Sequence, residues 1–151
     1  MKKIFLCVLS TILIILSFPK TSFWPFAWIS LVPLFLAIQN EKPLRSFLYG
    51  LFTGLTTYIG ILYWLVPTFS AAGEPKLVGI FVLLSLSFYL ALYHGIFCFF
   101  IRLLKQPHLR LKSGATLLFP AFVWVSLEFI RTHLFTGFPW ALLGYSQWNN
   151  L

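Results

Sequence analysis

The chain has 151 residues, of which 60% are hydrophobic and only 9% are charged. Soluble domains carry roughly 25% charged residues, and a soluble fold of this length could not cover so much apolar surface. The composition therefore excludes an ordinary soluble domain and predicts an integral membrane protein. The net charge of +8 lies in short clusters between apolar runs rather than in the basic stripe typical of nucleic-acid-binding proteins. We therefore expect membrane lipid, and no nucleic acid, as a partner.

The chain opens with a basic start, Met1-Lys2-Lys3, and an apolar run that ends near Phe18. This order is typical of a signal peptide, but no small-x-small cleavage site follows it. The sequence therefore predicts an uncleaved first helix.

Five apolar runs predict membrane-spanning helices, since about 20 apolar residues in a helix cross a hydrocarbon core of about 30 Å. The runs cover residues 4–18, 23–38, 44–66, 77–101 and 115–131. The first two runs are short. They suit either a tight pair of crossings or one crossing followed by a segment that lies in the interface.

The distribution of Lys and Arg decides between these two arrangements. Two crossings place most basic residues on one side, which the positive-inside rule identifies as cytoplasmic, whereas a single crossing reverses the bias. We therefore expect an all-α, polytopic bundle of about five transmembrane helices in a bacterial inner (cytoplasmic) membrane, with a cytoplasmic amino terminus. The expected cytoplasmic residues are Lys2, Lys3, Lys42, Arg45, Arg102, Lys105, Arg110 and Lys112, and the expected outer ones are Lys20, Lys76 and Arg131.

Small residues inside the apolar runs indicate how the helices pack. Gly50 and Gly54 form a GxxxG pattern, and Gly60 continues the same face, which favours close approach of two helices in lipid. Cys7 and Cys98 also lie inside apolar runs, and no activating base is visible near either one. We interpret both cysteines as packing residues.

Three ionisable residues within or at the end of these runs are functional candidates, because such groups are costly in a membrane. His94 has no second ligand at metal spacing, so we expect it to hydrogen-bond a neighbouring helix, and we expect no metal and no cofactor. Glu128 and Arg131 share one face of the fifth helix and can pair. They either form an ion pair that fixes how this helix docks, or they shape a substrate pocket.

The composition of residues 132–151 predicts an aromatic loop at the outer face of the membrane. Gly137 and Pro139 interrupt a continuous helix, yet the stretch stays apolar and aromatic. Irregular backbone at membrane depth is tolerated only where protein covers it or where it lines a cavity. The loop is therefore either an interfacial anchor or a binding site. The candidate substrate-binding residues are Glu128, Arg131, Gly137, Phe138, Pro139, Trp140, Tyr145 and Gln147.

The residues from the fifth helix into this loop closely resemble the apolipoprotein N-acyltransferase family. The resemblance is carried by Trp124-x-x-x-Glu128-Phe-Ile-Arg131, then Phe135-Thr-Gly-Phe-Pro-Trp140, then Gly144-Tyr-Ser-Gln147. Segments 16–19, 25–28 and 31–34 are similar to the family's first two helices, and segment 60–65 is similar to its third. The resemblance thus covers nearly the whole chain.

The resemblance implies the membrane domain of an enzyme that moves an acyl chain from a phospholipid to the diacylglyceryl-cysteine amino group of a diacylated lipoprotein. It also implies a periplasmic nitrilase-like domain with a catalytic Glu, Lys and Cys, which this sequence, ending at Leu151, does not contain. Glu128, Cys7 and Cys98 do not match those catalytic positions. We therefore expect a truncated or split chain that has no catalytic residue and is inactive alone, with a separate nitrilase-like chain as a candidate partner.

Two alternatives come from other classes of protein. One is a non-enzymatic membrane scaffold or transporter-like subunit that kept the helices. The other is the product of a broken gene with no activity. A nitrilase-like domain encoded just downstream would favour the enzyme over both.

Overall fold

The computed structural model describes residues 1–18, 21–104, 113–134 and 137–150, and no strand occurs among them. The predicted all-α fold is confirmed over this part of the chain. The helices are α1 (Lys2–Ser17), α2 (Pro25–Ile29), α3 (Val32–Ile38), α4 (Pro43–Leu62), α5 (Leu65–Ala71), α6 (Lys76–Leu103), α7 (Ser113–His133) and a 3₁₀ helix (Leu143–Asn150).

Prolines explain why two of the predicted helices are each divided into two. Pro33 stands in the first turn of α3, directly after the break that separates α3 from α2. Pro67 stands near the start of α5, where its ring would clash with the carbonyl of Tyr63 if α4 continued unbroken. The predicted run 44–66 is therefore α4 followed by α5, and the helical region reaches Ala71.

Helix α1 and the α2–α3 segment lie side by side and run in opposite directions. Midway along α1, the Ser10 hydroxyl donates a hydrogen bond of 2.6 Å to the carbonyl oxygen of Ser30. At the start of α1, Lys3 donates to the carboxylate of Glu41, which follows α3. The first two predicted segments thus form a helical hairpin, and α1, with 16 residues, is about 24 Å long at 1.5 Å per residue.

Glycines bring α4 and α6 into backbone contact. A Cβ atom on Gly50 would lie 2.5 Å from the carbonyl oxygen of His94, and one on Gly54 would lie 2.9 Å from the Cα of Ala91. A Cβ atom on Gly60 would instead meet the end of the Ile15 side chain in α1. The predicted close approach of two helices is therefore confirmed for Gly50 and Gly54, whereas Gly60 faces a different helix.

Small and polar side chains lie inside the bundle, whereas many large apolar side chains point outwards. Thr11 and Thr56 join α1 to α4 through hydroxyl oxygens 2.8 Å apart. On the outside, Phe81 is 72% exposed and Phe122 is 69% exposed. Buried hydroxyl groups beside an apolar core, together with many exposed apolar rings, suit a lipid environment, where helices pack through small and polar residues.

Two helical segments in the described part of the chain are long and apolar enough to cross a membrane, by length and composition. They are Pro43–Ala71 and Lys76–Leu103, with mean hydropathies of 1.3 and 2.0. Between these helices and α1–α3 lies the core, which includes Cys7 and Cys98 as free, fully buried thiols. The interpretation of both cysteines as packing residues is therefore confirmed.

A charged cluster marks the end of the bundle where α1 begins. Besides the bond from Lys3, the Glu41 carboxylate lies 3.7 Å from the Nη1 atom of Arg45. The Nε atom of Arg102, at the end of α6, donates to the main-chain carbonyl of Glu41 at 3.0 Å. Three basic residues that were predicted to share one side of the membrane therefore surround one acidic residue.

We expect this cluster to make the stability of the protein fall in acid. The hydrogen bond from Lys3, aided by the charges of Lys3 and Arg45, holds the pKa of Glu41 below its ordinary value, although burial opposes the shift. The folded state thus favours the carboxylate. Its contribution is fully present above the ordinary carboxyl pKa of about 4.3 and is lost as the pH falls through the lowered pKa of the folded protein.

The measurement is the thermal unfolding midpoint in detergent between about pH 6 and pH 3. Other carboxyl groups also titrate there, so Glu41→Gln is the control that isolates this cluster. The wild-type midpoint should fall more steeply than that of Glu41→Gln below about pH 4.3. Parallel curves for the two proteins would contradict the assignment.

Candidate functional site

The last long helix presents three polar residues on one face, spaced by four and three positions. Trp124, Glu128 and Arg131 all line one small cavity between α4, α6 and α7. Arg131 is only 2% exposed, although it carries a permanent positive charge. A buried charge of this kind requires partners.

Arg131 finds its partners on α4 and on the loop that follows α7. Its Nη1 atom donates to the hydroxyl of Tyr58 at 2.6 Å. Its Nη2 atom donates to the main-chain carbonyl oxygens of Trp140 and Ala141 at 3.5 and 3.4 Å. One planar guanidinium group therefore connects α7, α4 and the loop.

Glu128 binds the same loop at Leu143, two residues after the carbonyl of Ala141 that Arg131 contacts. Its Oε1 atom accepts a 2.9 Å hydrogen bond from the backbone N–H of Leu143, the first residue of the 3₁₀ helix. That N–H group has no partner within its own helix, so the carboxylate acts as its cap. The predicted pair with Arg131 is long, with 4.0 Å between Oε1 and Nη2, because both side chains are directed to the loop.

The turn that begins the loop depends on Gly137. Its φ is +74°, a conformation that favours glycine, and a Cβ atom there would overlap the carbonyl oxygen of Thr132. The next residue, Phe138, donates its N–H to the carbonyl of Arg131 at 3.1 Å. The predicted turn at Gly137 is therefore present, and it folds the chain back over the end of α7.

The loop differs from the prediction at both of its ends. Helix α7 continues to His133 rather than stopping at Arg131, and the 3₁₀ helix occupies Leu143–Asn150 within the segment predicted as irregular. The difference at the second end has a local cause, since Glu128 caps that 3₁₀ helix at Leu143. The part that remains irregular is the stretch around residues 137–142.

Aromatic rings cover this irregular stretch. The Trp140 ring is 57% exposed and lies 6.2 Å from the Trp64 ring and 5.9 Å from the Phe138 ring, between centroids. Phe138 packs on the core cluster that contains Tyr58, and Pro139 is exposed. The aromatic loop thus has one ring directed inwards and one directed outwards.

The end of the chain returns to the start of α2. The Nε2 atom of Gln147 donates to the carbonyl oxygen of Trp24 at 3.1 Å, whereas Tyr145 is exposed, with its backbone N–H on the carbonyl of Leu142. Trp24, Trp64 and Trp140 therefore gather at one end of the bundle. Such rings prefer a membrane interface.

Of the predicted site residues, the structure joins Glu128, Arg131 and the loop residues 137–147, and it adds one that sequence reasoning missed. Tyr58 accepts the shortest hydrogen bond of Arg131, but in the sequence it is one aromatic residue within an apolar run. His94 lies in aromatic surroundings. Its ring packs edge-on against Tyr58 and Trp124, at centroid distances of 5.3 and 5.0 Å.

The Nε2 atom of His94 has no hydrogen-bond partner in the described part of the chain. The expected interhelical hydrogen bond is therefore not made through this atom. Among the described residues there is also no group of three His, Cys, Asp or Glu side chains that could hold a metal ion.

Comparison with known proteins identifies the family of this chain. A family model described as the apolipoprotein N-acyltransferase N-terminal domain matches residues 10–151. The apolipoprotein N-acyltransferase of Geobacter metallireducens is 41% identical over 147 residues, which cover 97% of this chain and 27% of the relative. Those of Pasteurella multocida and Vibrio parahaemolyticus are 31% and 33% identical, covering 95% and 87% of this chain and 26% of each relative.

The chain spans about a quarter of the length of these curated relatives. The match of the family model nevertheless includes α2 to α7, the aromatic loop and the second half of α1. This protein belongs to the apolipoprotein N-acyltransferase family.

Proposed function

We propose that this chain forms the amino-terminal membrane domain of an enzyme that transfers an acyl chain from a phospholipid to the diacylglyceryl-cysteine of a lipoprotein. The observation that carries this proposal is the aromatic loop, which Glu128 and Arg131 hold across the end of α7 while Trp140 remains exposed. A rigidly supported aromatic surface at one end of an apolar bundle suits contact with acyl chains and lipid headgroups. The relatives' shared name supports an acyl-transfer reaction.

The reacting groups of this proposed enzyme lie outside the residues of this chain. Acyl transfer through a thioester requires a thiolate activated by a nearby base or positive charge. Cys7 and Cys98 are fully buried in the apolar core, and neither can reach a substrate there. The chemistry is therefore assigned to a nitrilase-like domain, as the resemblance implies, and the role of this chain is to support that domain and to guide lipid to it.

The proposed topology has five crossings in an inner membrane, with the amino terminus in the cytoplasm. Its support is that Lys3, Arg45 and Arg102 surround Glu41 at one end of the bundle. The aromatic loop packs at the other end, where Gln147 reaches Trp24. Basic residues at one end and Trp residues at the other follow the positive-inside rule and the interfacial preference of Trp.

Reporter fusions test this topology directly. Fusions placed at Gly73 and after Gln147 should behave as periplasmic, and a fusion at Gln106, which lies outside the described residues, should behave as cytoplasmic. Alkaline phosphatase and green fluorescent protein activities provide complementary readouts. A periplasmic signal at Gln106 would overturn the two-crossing assignment of residues 4–38.

The proposed role of the loop is tested by replacing the tryptophan that aligns with Trp140 by alanine in a full-length relative. We expect acyl transfer to fall on the order of tenfold, as for the loss of a substrate-positioning contact, while the amount of protein in the membrane changes little. The matched control is alanine at the position of Trp28, which is 76% exposed but lies on α2. Unchanged transfer, or a loss explained by degradation, would make the loop a structural anchor and would rule out its proposed role in guiding lipid.

A further inference from the structure

Three side chains that line one cavity each carry a buried polar atom with no hydrogen-bond partner in the described part of the chain. These atoms are Nε2 of His94 on α6, and Nε1 of Trp124 and Nε of Arg131 on α7. The His94 and Arg131 side chains are only 3% and 2% exposed. Since buried polar groups in folded proteins are nearly always paired, three unpaired atoms around one cavity indicate a bound ligand.

The hydrogen-bonding capacities of these atoms define the ligand. The N–H groups of Arg131 and Trp124 can only donate, so the ligand must accept two hydrogen bonds. The Glu128 carboxylate also lines the cavity and can only accept while it is ionised, and Nε2 of His94 accepts in one of its two neutral tautomers. A ligand that both accepts and donates satisfies all four groups.

The size of the cavity limits which ligand can bind in it. Its volume is about 10 Å³, which is on the order of the space that one water molecule requires. A phosphate group is too large for it, and a lipid ester carbonyl can accept but cannot donate. We propose that this cavity holds one ordered water molecule, bonded to Arg131, Trp124, His94 and Glu128.

This inference goes beyond the proposed function, because it does not depend on acyl transfer. The water would join α6 to α7, and Arg131 would extend the connection to Tyr58 on α4. Trp124, Glu128 and Arg131 all line this cavity, so all three would bind the same water molecule. The site is therefore a structural hydration site that fixes the helix from which the aromatic loop is held.

Nuclear magnetic resonance of the ¹⁵N-labelled chain in micelles with deuterated acyl chains tests the proposal. The indole N–H signal of Trp124 is assigned by its loss in Trp124→Phe. We expect this proton to show a dipolar cross-peak to a long-lived water in the wild-type protein. The exposed indole of Trp28 serves as the control and should show no cross-peak to a long-lived water.

Two outcomes would overturn the proposal. One is the absence of a water cross-peak at Trp124, and the other is a cross-peak to headgroup or glycerol protons, which would identify a lipid oxygen as the ligand. A second variant, His94→Phe, places an apolar ring beside the cavity and should abolish the water cross-peak and lower the unfolding midpoint. The wild-type measurement remains decisive if this variant does not fold.

Discussion

Replacing Arg131 by methionine is expected to lower the free energy of unfolding by about 1–3 kcal/mol, the range for leaving a buried hydrogen-bonding group without its partner. Methionine retains much of the side-chain length but provides no donor. The Tyr58 hydroxyl and the carbonyls of Trp140 and Ala141 then lose the donor that Arg131 supplies. The Glu128 carboxylate simultaneously loses its nearest positive charge.

The measurement is unfolding in mixed micelles, followed by circular dichroism and by tryptophan fluorescence. Arg45→Gln is the matched control, because it also removes one positive charge, but from a side chain that is 72% exposed. Its cost should stay within about 1 kcal/mol, as is usual for surface ion pairs. Equal midpoints for Arg131→Met and Arg45→Gln would show that the buried guanidinium does not stabilise the fold.

A graded variant separates the hydrogen bonds of Arg131 from its charge. Arg131→Lys keeps the charge, but an ammonium group lacks the planar fork that reaches Tyr58 and the loop carbonyls together. We expect this variant to unfold between the wild type and Arg131→Met. The loop should become accessible to proteases at lower temperature in both variants, before the helices lose their circular dichroism signal.

The contacts of Arg131 also show which features of this protein the sequence could predict. The helices, the turn at Gly137 and the glycine face of α4 follow from local composition and spacing, because backbone conformation and helix packing in lipid depend on nearby residues. The hydrogen bond from Arg131 to Tyr58 joins residues 73 positions apart. No periodic pattern distinguishes Tyr58 from other aromatic residues in its run, so this partner required the three-dimensional structure.

The same reasoning explains the differences at Glu128 and His94. Sequence spacing placed Glu128 within reach of Arg131, but the stronger contact is with the backbone N–H of Leu143, which spacing on a helix cannot indicate. His94 was expected to form a hydrogen bond with a neighbouring helix. Its ring lies against the rings of Tyr58 and Trp124, and its Nε2 atom has no partner in the described part of the chain. This position is set by how three helices meet rather than by its neighbours in the chain.

The second large effect is expected where α4 touches α6. Gly50→Ala should lower the free energy of unfolding by about 1–3 kcal/mol, the usual cost of overpacking. The added methyl group would lie 2.5 Å from the main-chain oxygen of His94 and 2.7 Å from the Sγ atom of Cys98. The α6 backbone at His94 cannot move away from the added methyl group unless the two helices separate. The steric clash therefore cannot be removed by a small local shift.

Two other glycines provide a graded comparison for Gly50→Ala. Gly60→Ala should cost less, because its methyl group meets only the flexible end of Ile15, and Gly144→Ala meets nothing within 4 Å and should change stability by less than about 0.5 kcal/mol. Unfolding midpoints of the three variants in one detergent give the test. If Gly50→Ala were no less stable than Gly144→Ala, the close contact of α4 and α6 would not hold the bundle together. We expect the loss of stability to be largest for Gly50→Ala, smaller for Gly60→Ala and smallest for Gly144→Ala. A main-chain oxygen moves less readily than the end of a side chain, and the methyl group of Gly144→Ala meets no atom at all.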